Sequence, residues 1–152
     1  MKFSFRTEPK IKTKKTILFV CVQNAGRSQM AEGFFRKYAP EGFESMSAGT
    51  KPISQINPFA IQVMNEIGLD ISKQKSKDLT EDMMRNSDKI INMGCMDKNF
   101  CPTLFIHKVI DWGIEDPKDK PIEKVREIRD EIERRINELA TNISIAEEEN
   151  NR

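Results

Sequence analysis

Long apolar runs are missing from these 152 residues. No stretch approaches the roughly 18 consecutive apolar residues of a membrane-crossing helix, and residues 1–15 are basic without the apolar segment of a secretion signal. A cytoplasmic protein with no membrane partner is the expectation. An excess of one charge is missing too: 25 Lys and Arg face 24 Asp and Glu, for a formal net charge of +1. Such a balance supplies no global field for nucleic acid, so any electrostatic function is local. Cysteine is scarce. Three residues, an odd number, do not build a secreted disulfide framework; in a reducing compartment such thiols serve chemistry, metal binding or packing. Histidine occurs once, as His107, and reads as a solvated or hydrogen-bonded loop residue. Internal repeats and Gly/Ser linkers are absent as well, which leaves one domain.

The two ends differ from the middle. Lys2, Arg6, Lys10, Lys12, Lys14 and Lys15 against the single acid Glu8 describe a basic, flexible arm over residues 1–15. Glu147, Glu148 and Glu149 followed by Asn150 and Asn151 describe an acidic, disordered tail over residues 141–152, too poor in apolar surface to offset the entropy of ordering. Residues 16–140 form the domain. Within it, residues 16–22 are a continuous β-rich run of the kind buried on both faces. Residues 28–38 carry Met30, Phe34 and Phe35 at helical spacing, and residues 43–48 form a short strand stopped by Gly49. A helix over 57–67 ends at Gly68, and a shorter one over 80–86 is capped by Thr80. Residues 89–93 and 108–111 are the remaining strands. Pro121 then opens a long helix striped by Ile122, Val125, Ile128, Ile132, Ile136 and Leu139, with pairs Asp130–Arg134 and Glu131–Arg135 on its wet side. This alternation predicts a single α/β domain with a four-stranded parallel sheet, helices on both faces and right-handed crossovers. Ligands of such sheets bind at the carboxyl ends of the strands.

That edge holds Cys21-Val-Gln-Asn-Ala-Gly-Arg-Ser28, which leaves the first strand and enters the first helix. A loop at this position aims backbone N–H groups inward beside the positive helix end, and Gly26 permits close approach to an anion. Arg27 adds a planar fork matched to tetrahedral oxyanions. The same field favours Cys21 as thiolate. A cysteine ending a strand is also often a small buried hydrophobe, but here nucleophile and anion cradle coincide.

The loop Cys-x5-Arg-Ser, together with Arg27-Ser-Gln-Met-Ala-Glu-Gly33, the Ser47-Ala-Gly49 turn and Asp111-Trp-Gly-Ile-Glu-Asp-Pro117, resembles the low-molecular-weight tyrosine phosphatase superfamily. That superfamily includes thioredoxin-coupled arsenate reductases, and the likeness spans nearly all of residues 16–140. It implies an oxyanion held by Val22, Gln23, Asn24, Ala25, Gly26, Arg27 and Ser28, with Asn24 and Ser28 shaping the loop. It also implies that Asp116 is a general acid, although Asp-Pro alone reads as a turn. Glu115 beside it would raise its pKa through like-charge repulsion.

The remaining cysteines separate a hydrolase from a redox enzyme. Cys95 and Cys101 follow the third strand, at the same sheet edge as Cys21. They are open to reading as buried fillers or metal ligands, but one histidine and a five-residue gap do not make a zinc site. Thioredoxin-coupled arsenate reductases look like this arrangement, a loop nucleophile with a downstream Gly-Cys...Cys-Pro pair. Two departures from the tyrosine phosphatases point the same way: Ala25 and Gly26 replace a second loop cysteine, and Lys118 replaces an aromatic residue after Asp-Pro. The resemblance therefore implies arsenate reduction by Cys21, with Cys95 and then Cys101 relaying a disulfide to thioredoxin or a similar thiol reductant. Phosphomonoester hydrolysis is the alternative and an expected side activity, while a non-catalytic anion-binding protein would need Cys21 to be inert. No tightly bound cofactor is implied. Asn24, Glu32 and Ser47 resemble positions that line a monovalent-cation site in some reductases, although an exposed helix residue and a turn former explain Glu32 and Ser47 as well.

Overall fold

The computed structural model describes residues 14–94 and 103–151 of the chain. Strand β1 (Lys15–Cys21) lies at the centre of a sheet beside β2 (Phe43–Gly49) and β3 (Lys89–Asn92), with β4 (Val109–Asp111) at the edge. The order is β2-β1-β3-β4 and every pairing is parallel. Central position explains why β1 is apolar throughout: Ile17, Leu18, Phe19 and Val20 are fully buried, as a strand covered on both faces requires. Alternate side chains go to opposite layers. Ile17, Phe19 and Cys21 pack with helices α1 (Arg27–Tyr38), α2 (Pro58–Asn65) and α4 (Ile122–Asn150). Leu18, Val20 and Ile90 pack with Met84 of α3 (Glu81–Asn86) and Phe105 of a 3-10 turn, Thr103–Lys108.

Local chemistry sets the helix ends. Asn57 Oδ1 accepts from the Phe59 amide at 2.9 Å, with Pro58 at the first helical position, and Thr80 Oγ1 accepts from Met83 N at 3.1 Å. These are side-chain caps for otherwise orphaned amides. Helix α4 is tied to its neighbours by polar contacts as well as by its stripe. Tyr38 donates to Glu133 at 2.6 Å, and Arg129, 8% exposed, donates to Val63 O and Glu66 Oε1, both at 2.9 Å. Arg126 adds a two-pronged contact to Glu66, and together Arg126 and Arg129 hold the Glu66 carboxyl below its ordinary pKa.

Three expectations are corrected. The acidic tail is not disordered through residues 141–150: α4 runs to Asn150, because Ile143 continues the apolar stripe and is buried, and Glu147 pairs with Lys15 at 3.0 Å. Lys15, assigned to the arm, opens β1, while residues 1–13 lie outside the described part. On α4, Glu131 pairs with Arg135 as expected but also with Arg134, and Asp130 turns to Arg129 at 2.8 Å instead of to Arg134. Among the described residues, no helix is long and apolar enough to cross a membrane.

Candidate active site

The loop between β1 and α1 is held from outside. Each of its carbonyls has a donor: Cys21 O takes Thr50 N, Val22 O takes Lys51 N, Gln23 O takes Ile53 N, Ala25 O takes Asn57 N and Gly26 O takes Met30 N. Asn24 O accepts from the Gln29 side chain at 2.9 Å. With the acceptors engaged outward, the amides are left as the loop's own polar groups for its concave side. The turn needs Asn24 in the left-handed region (φ 49°), which asparagine tolerates better than most residues. Gly49 permits the loop to lie on β2, since a Cβ there would sit 2.5 Å from Val22 O.

Cys21 is buried at the carboxyl end of β1. Its Sγ accepts from Asn24 N at 3.2 Å and lies 2.8 Å from Ser28 Oγ. Asn24 Nδ2 donates to that same oxygen at 2.7 Å, which leaves the Ser28 hydroxyl hydrogen for the sulfur. Amide, hydroxyl and the start of α1 thus surround the sulfur with donors, the setting that makes a cysteine nucleophilic. Arg27 is buried, with Nη1 donating to Ile114 O at 2.7 Å and to Met93 O at 3.3 Å. Two carbonyls from the ends of β3 and β4 therefore fix the guanidinium.

Asp116 approaches from the segment after β4. Its Oδ2 is 3.6 Å from Arg27 Nη2, and its Oδ1 accepts from Lys118 N at 2.9 Å, so the Asp-Pro turn and an aspartate facing the loop are the same structure. Gly26 eases this closure, because a Cβ there would lie 3.0 Å from Pro117 Cγ and the proline ring would have to give by a few tenths of an ångström. Glu115 turns to Lys120 and Lys124, so the two adjacent carboxylates have separate cationic partners and the expected like-charge contact is not made. Cys21, Arg27 and Asp116 line one cavity of about 440 Å³, whose outer wall includes the partly exposed Ile53 and Phe59.

The candidates for a cation site also meet, but around a residue that sequence reasoning missed. Ser47, buried in β2 and not in a turn, donates to Glu32 Oε1 at 3.2 Å, and Glu32 is itself only 8% exposed. Lys77 Nζ stands 3.7 Å from that carboxylate, and Lys77 N donates to Asn24 Oδ1 at 2.8 Å. Ile114, Gln29 and Asn57 are further supports with no local signal, since each acts through a contact distant in sequence or through a backbone atom. His107 is exposed in the 3-10 turn at the opposite, amino edge of the sheet, as a loop residue would be. Cys95 and Cys101 lie outside the described residues; the chain reaches Gly94 in a left-handed conformation (φ 112°) just after Met93.

Residues 16–150 match the family described as low molecular weight phosphotyrosine protein phosphatase. A curated arsenate reductase of Brevibacillus brevis is 37% identical over 131 residues, covering 86% of this chain and 97% of that protein. Among solved structures, the thioredoxin-dependent arsenate reductase Cg_ArsC1' of Corynebacterium glutamicum superposes with a TM-score of 0.74 at 40% identity over 88% of this chain, which spans 63% of that protein's length. The YwlE arginine phosphatase of Geobacillus stearothermophilus superposes with a TM-score of 0.80 at 28% identity, covering 89% of this chain and 96% of that one.

Proposed function

This chain belongs to the low molecular weight phosphotyrosine protein phosphatase family, and on that premise we propose that it reduces arsenate to arsenite, with thioredoxin as the terminal reductant. Arsenate binds in the loop of residues 22–28, against its amides and the Arg27 guanidinium. Cys21 thiolate attacks arsenic, and Asp116 gives its proton to the departing oxygen, which leaves as water. Cys95 thiolate then attacks the Cys21 sulfur. The electron pair of the sulfur–arsenic bond stays on arsenic, so As(V) becomes As(III) and leaves as arsenite while a Cys21–Cys95 disulfide forms. Cys101 attacks Cys95 and frees Cys21. The Cys95–Cys101 disulfide passes to thioredoxin by thiolate exchange through a mixed disulfide.

The observation that carries this reading is the contact between Arg27 and Met93. The carbonyl of Met93 accepts from Arg27 Nη1 at 3.3 Å, so the strand end that leads to Cys95 starts from the arginine of the loop. Met93, Gly94 and Cys95 are consecutive in the sequence, so the relay cysteine is two residues along the chain from that contact. Curated relatives named arsenate reductase support the same choice. Phosphomonoester hydrolysis is a second reading favoured by the cavity itself. With Phe59 and Ile53 on its wall, it has room for a substrate side chain beyond the oxyanion.

The test supplies arsenate, thioredoxin, thioredoxin reductase and a nicotinamide reductant, with an aryl phosphate assayed alongside. Arsenate-dependent nicotinamide oxidation is expected, and Cys101→Ser is expected to stop after one turnover with the Cys21–Cys95 disulfide trapped. No arsenate-dependent oxidation with any thioredoxin or glutaredoxin, beside brisk phosphate release, would install the hydrolase instead.

A further inference from the structure

We propose that Lys77 is the protein's own counter-cation at the back of the Cys21 loop, so that the loop is supported without a bound monovalent cation. The carboxylate of Glu32 is nearly buried, and a buried carboxylate requires a compensating positive charge or several donors. Two groups meet the requirement on Oε1: Ser47 Oγ at 3.2 Å and Lys77 Nζ at 3.7 Å. The ammonium is anchored a second time, donating to Lys75 O at 2.7 Å. A carboxylate oxygen and a backbone carbonyl converging on one positive charge are the donor set that a potassium or sodium ion would use, and here a tethered nitrogen takes that part. The third candidate ligand is engaged as well, because Asn24 Oδ1 accepts the Lys77 amide at 2.8 Å.

The placement links Lys77 to the nucleophile through two short paths. Its amide fixes the Asn24 carboxamide, whose Nδ2 donates to Ser28 Oγ at 2.7 Å, and that oxygen lies 2.8 Å from Cys21 Sγ. Its carbonyl accepts from Gly49 N at 2.8 Å, at the point where β2 touches the loop. Its ammonium secures Glu32 on the first helix, one turn beyond Ser28. Lys77 is therefore a positioning residue: it touches no substrate and acts by holding Asn24, Ser28 and α1 in register behind the sulfur. Since the ion is covalently tethered, its occupancy does not depend on salt composition.

The experiment measures the pH profile of iodoacetamide alkylation of Cys21, in a chain with Cys95 and Cys101 changed to Ser, in potassium chloride and in tetramethylammonium chloride at equal ionic strength. This readout needs neither arsenate nor thioredoxin, so its failure is separable from failure of the reductase assignment. The parent chain is expected to give one profile in both salts. Lys77→Met is expected to react about tenfold more slowly in tetramethylammonium, the scale of one lost charge-assisted hydrogen bond, and to recover in potassium as the ion enters the vacated place. Lys77→Arg is expected to keep the salt-independent profile, because the tethered charge stays in place. Should Lys77→Met fail to fold, the double change Glu32→Gln with Lys77→Met removes charge and counter-charge together and is expected to fold and to ignore potassium. Stimulation of the parent by potassium, or a Lys77→Met profile equal to the parent in both salts, would overturn the proposal. So would potassium stimulation of the double variant.

Discussion

Asp116 has two different oxygens in this structure, one fastened to the Lys118 amide and the other 3.6 Å from Arg27 with more than half the side chain in solvent. Asparagine can keep the first contact through its carbonyl oxygen but has no acidic proton to deliver at the second. Asp116→Asn is therefore expected to preserve oxyanion affinity and to slow turnover by about 10²- to 10⁴-fold, the usual range for a general acid; paired phosphate-binding and arsenate-turnover measurements check it. An unchanged rate would leave Asp116 only its turn. At this scale the part of the site contiguous in sequence was legible, because Cys21, Gly26, Arg27 and Ser28 fall within one loop whose chemistry is local. Ile114, Lys77 and Asn57 were not. They act from 87, 53 and 32 residues away from their loop partners Arg27, Asn24 and Ala25, and only folding brings them there. Gly49 was read as a strand stop, when its missing side chain is what lets Val22 O approach.

Helix α4 is the element for which charge misled and spacing would have served. The run of glutamates after Ala146 suggested a solvated tail, yet Ile136, Ala140 and Ile143 continue the three- and four-residue rhythm of Ile128 and Ile132, and all are buried. A helix already nucleated and packed needs little from its last turns to extend, so one more apolar residue and the Lys15–Glu147 pair outweighed the exposed Glu148 and Glu149. Ile143→Ala should thus destabilise the protein by about 2–3 kcal/mol, a fall of roughly 5–10 °C in Tm for a chain of this size. A calorimetric scan decides, since a frayed segment would shift by less than about 0.5 kcal/mol. The strands were easier, because β1 and β3 lie inside the sheet and carry the unbroken apolar runs that interior strands demand. Cys95 and Cys101 fall outside the described residues, so their relay stands on sequence resemblance.

For the molecule as a whole, the Glu66 cluster makes the packing of α2 on α4 sensitive to acid. Arg126 first, then Arg129, lower the Glu66 pKa from its ordinary 4.5. A carboxylate lowered on folding contributes stability that is present above the unfolded value and lost as pH falls through the folded one. The difference in Tm between the parent and Glu66→Gln should accordingly be steady from pH 7 to about 5 and shrink toward pH 3, within the range set by ordinary carboxylates; parallel Tm-against-pH curves would remove Glu66 from the acid response. High salt should blunt the effect, because Glu66 is partly exposed and its partners are screened. The anchoring of Arg27 has a consequence in time. Its guanidinium rests on Ile114 O, 87 residues further along the chain, and at about 5–20 residues per second of synthesis the interval between the two is roughly 4–17 s. Throughout that interval the nascent chain carries Cys21 without the Arg27 guanidinium locked in place, so the cysteine is made well before the contact that fixes its neighbouring arginine.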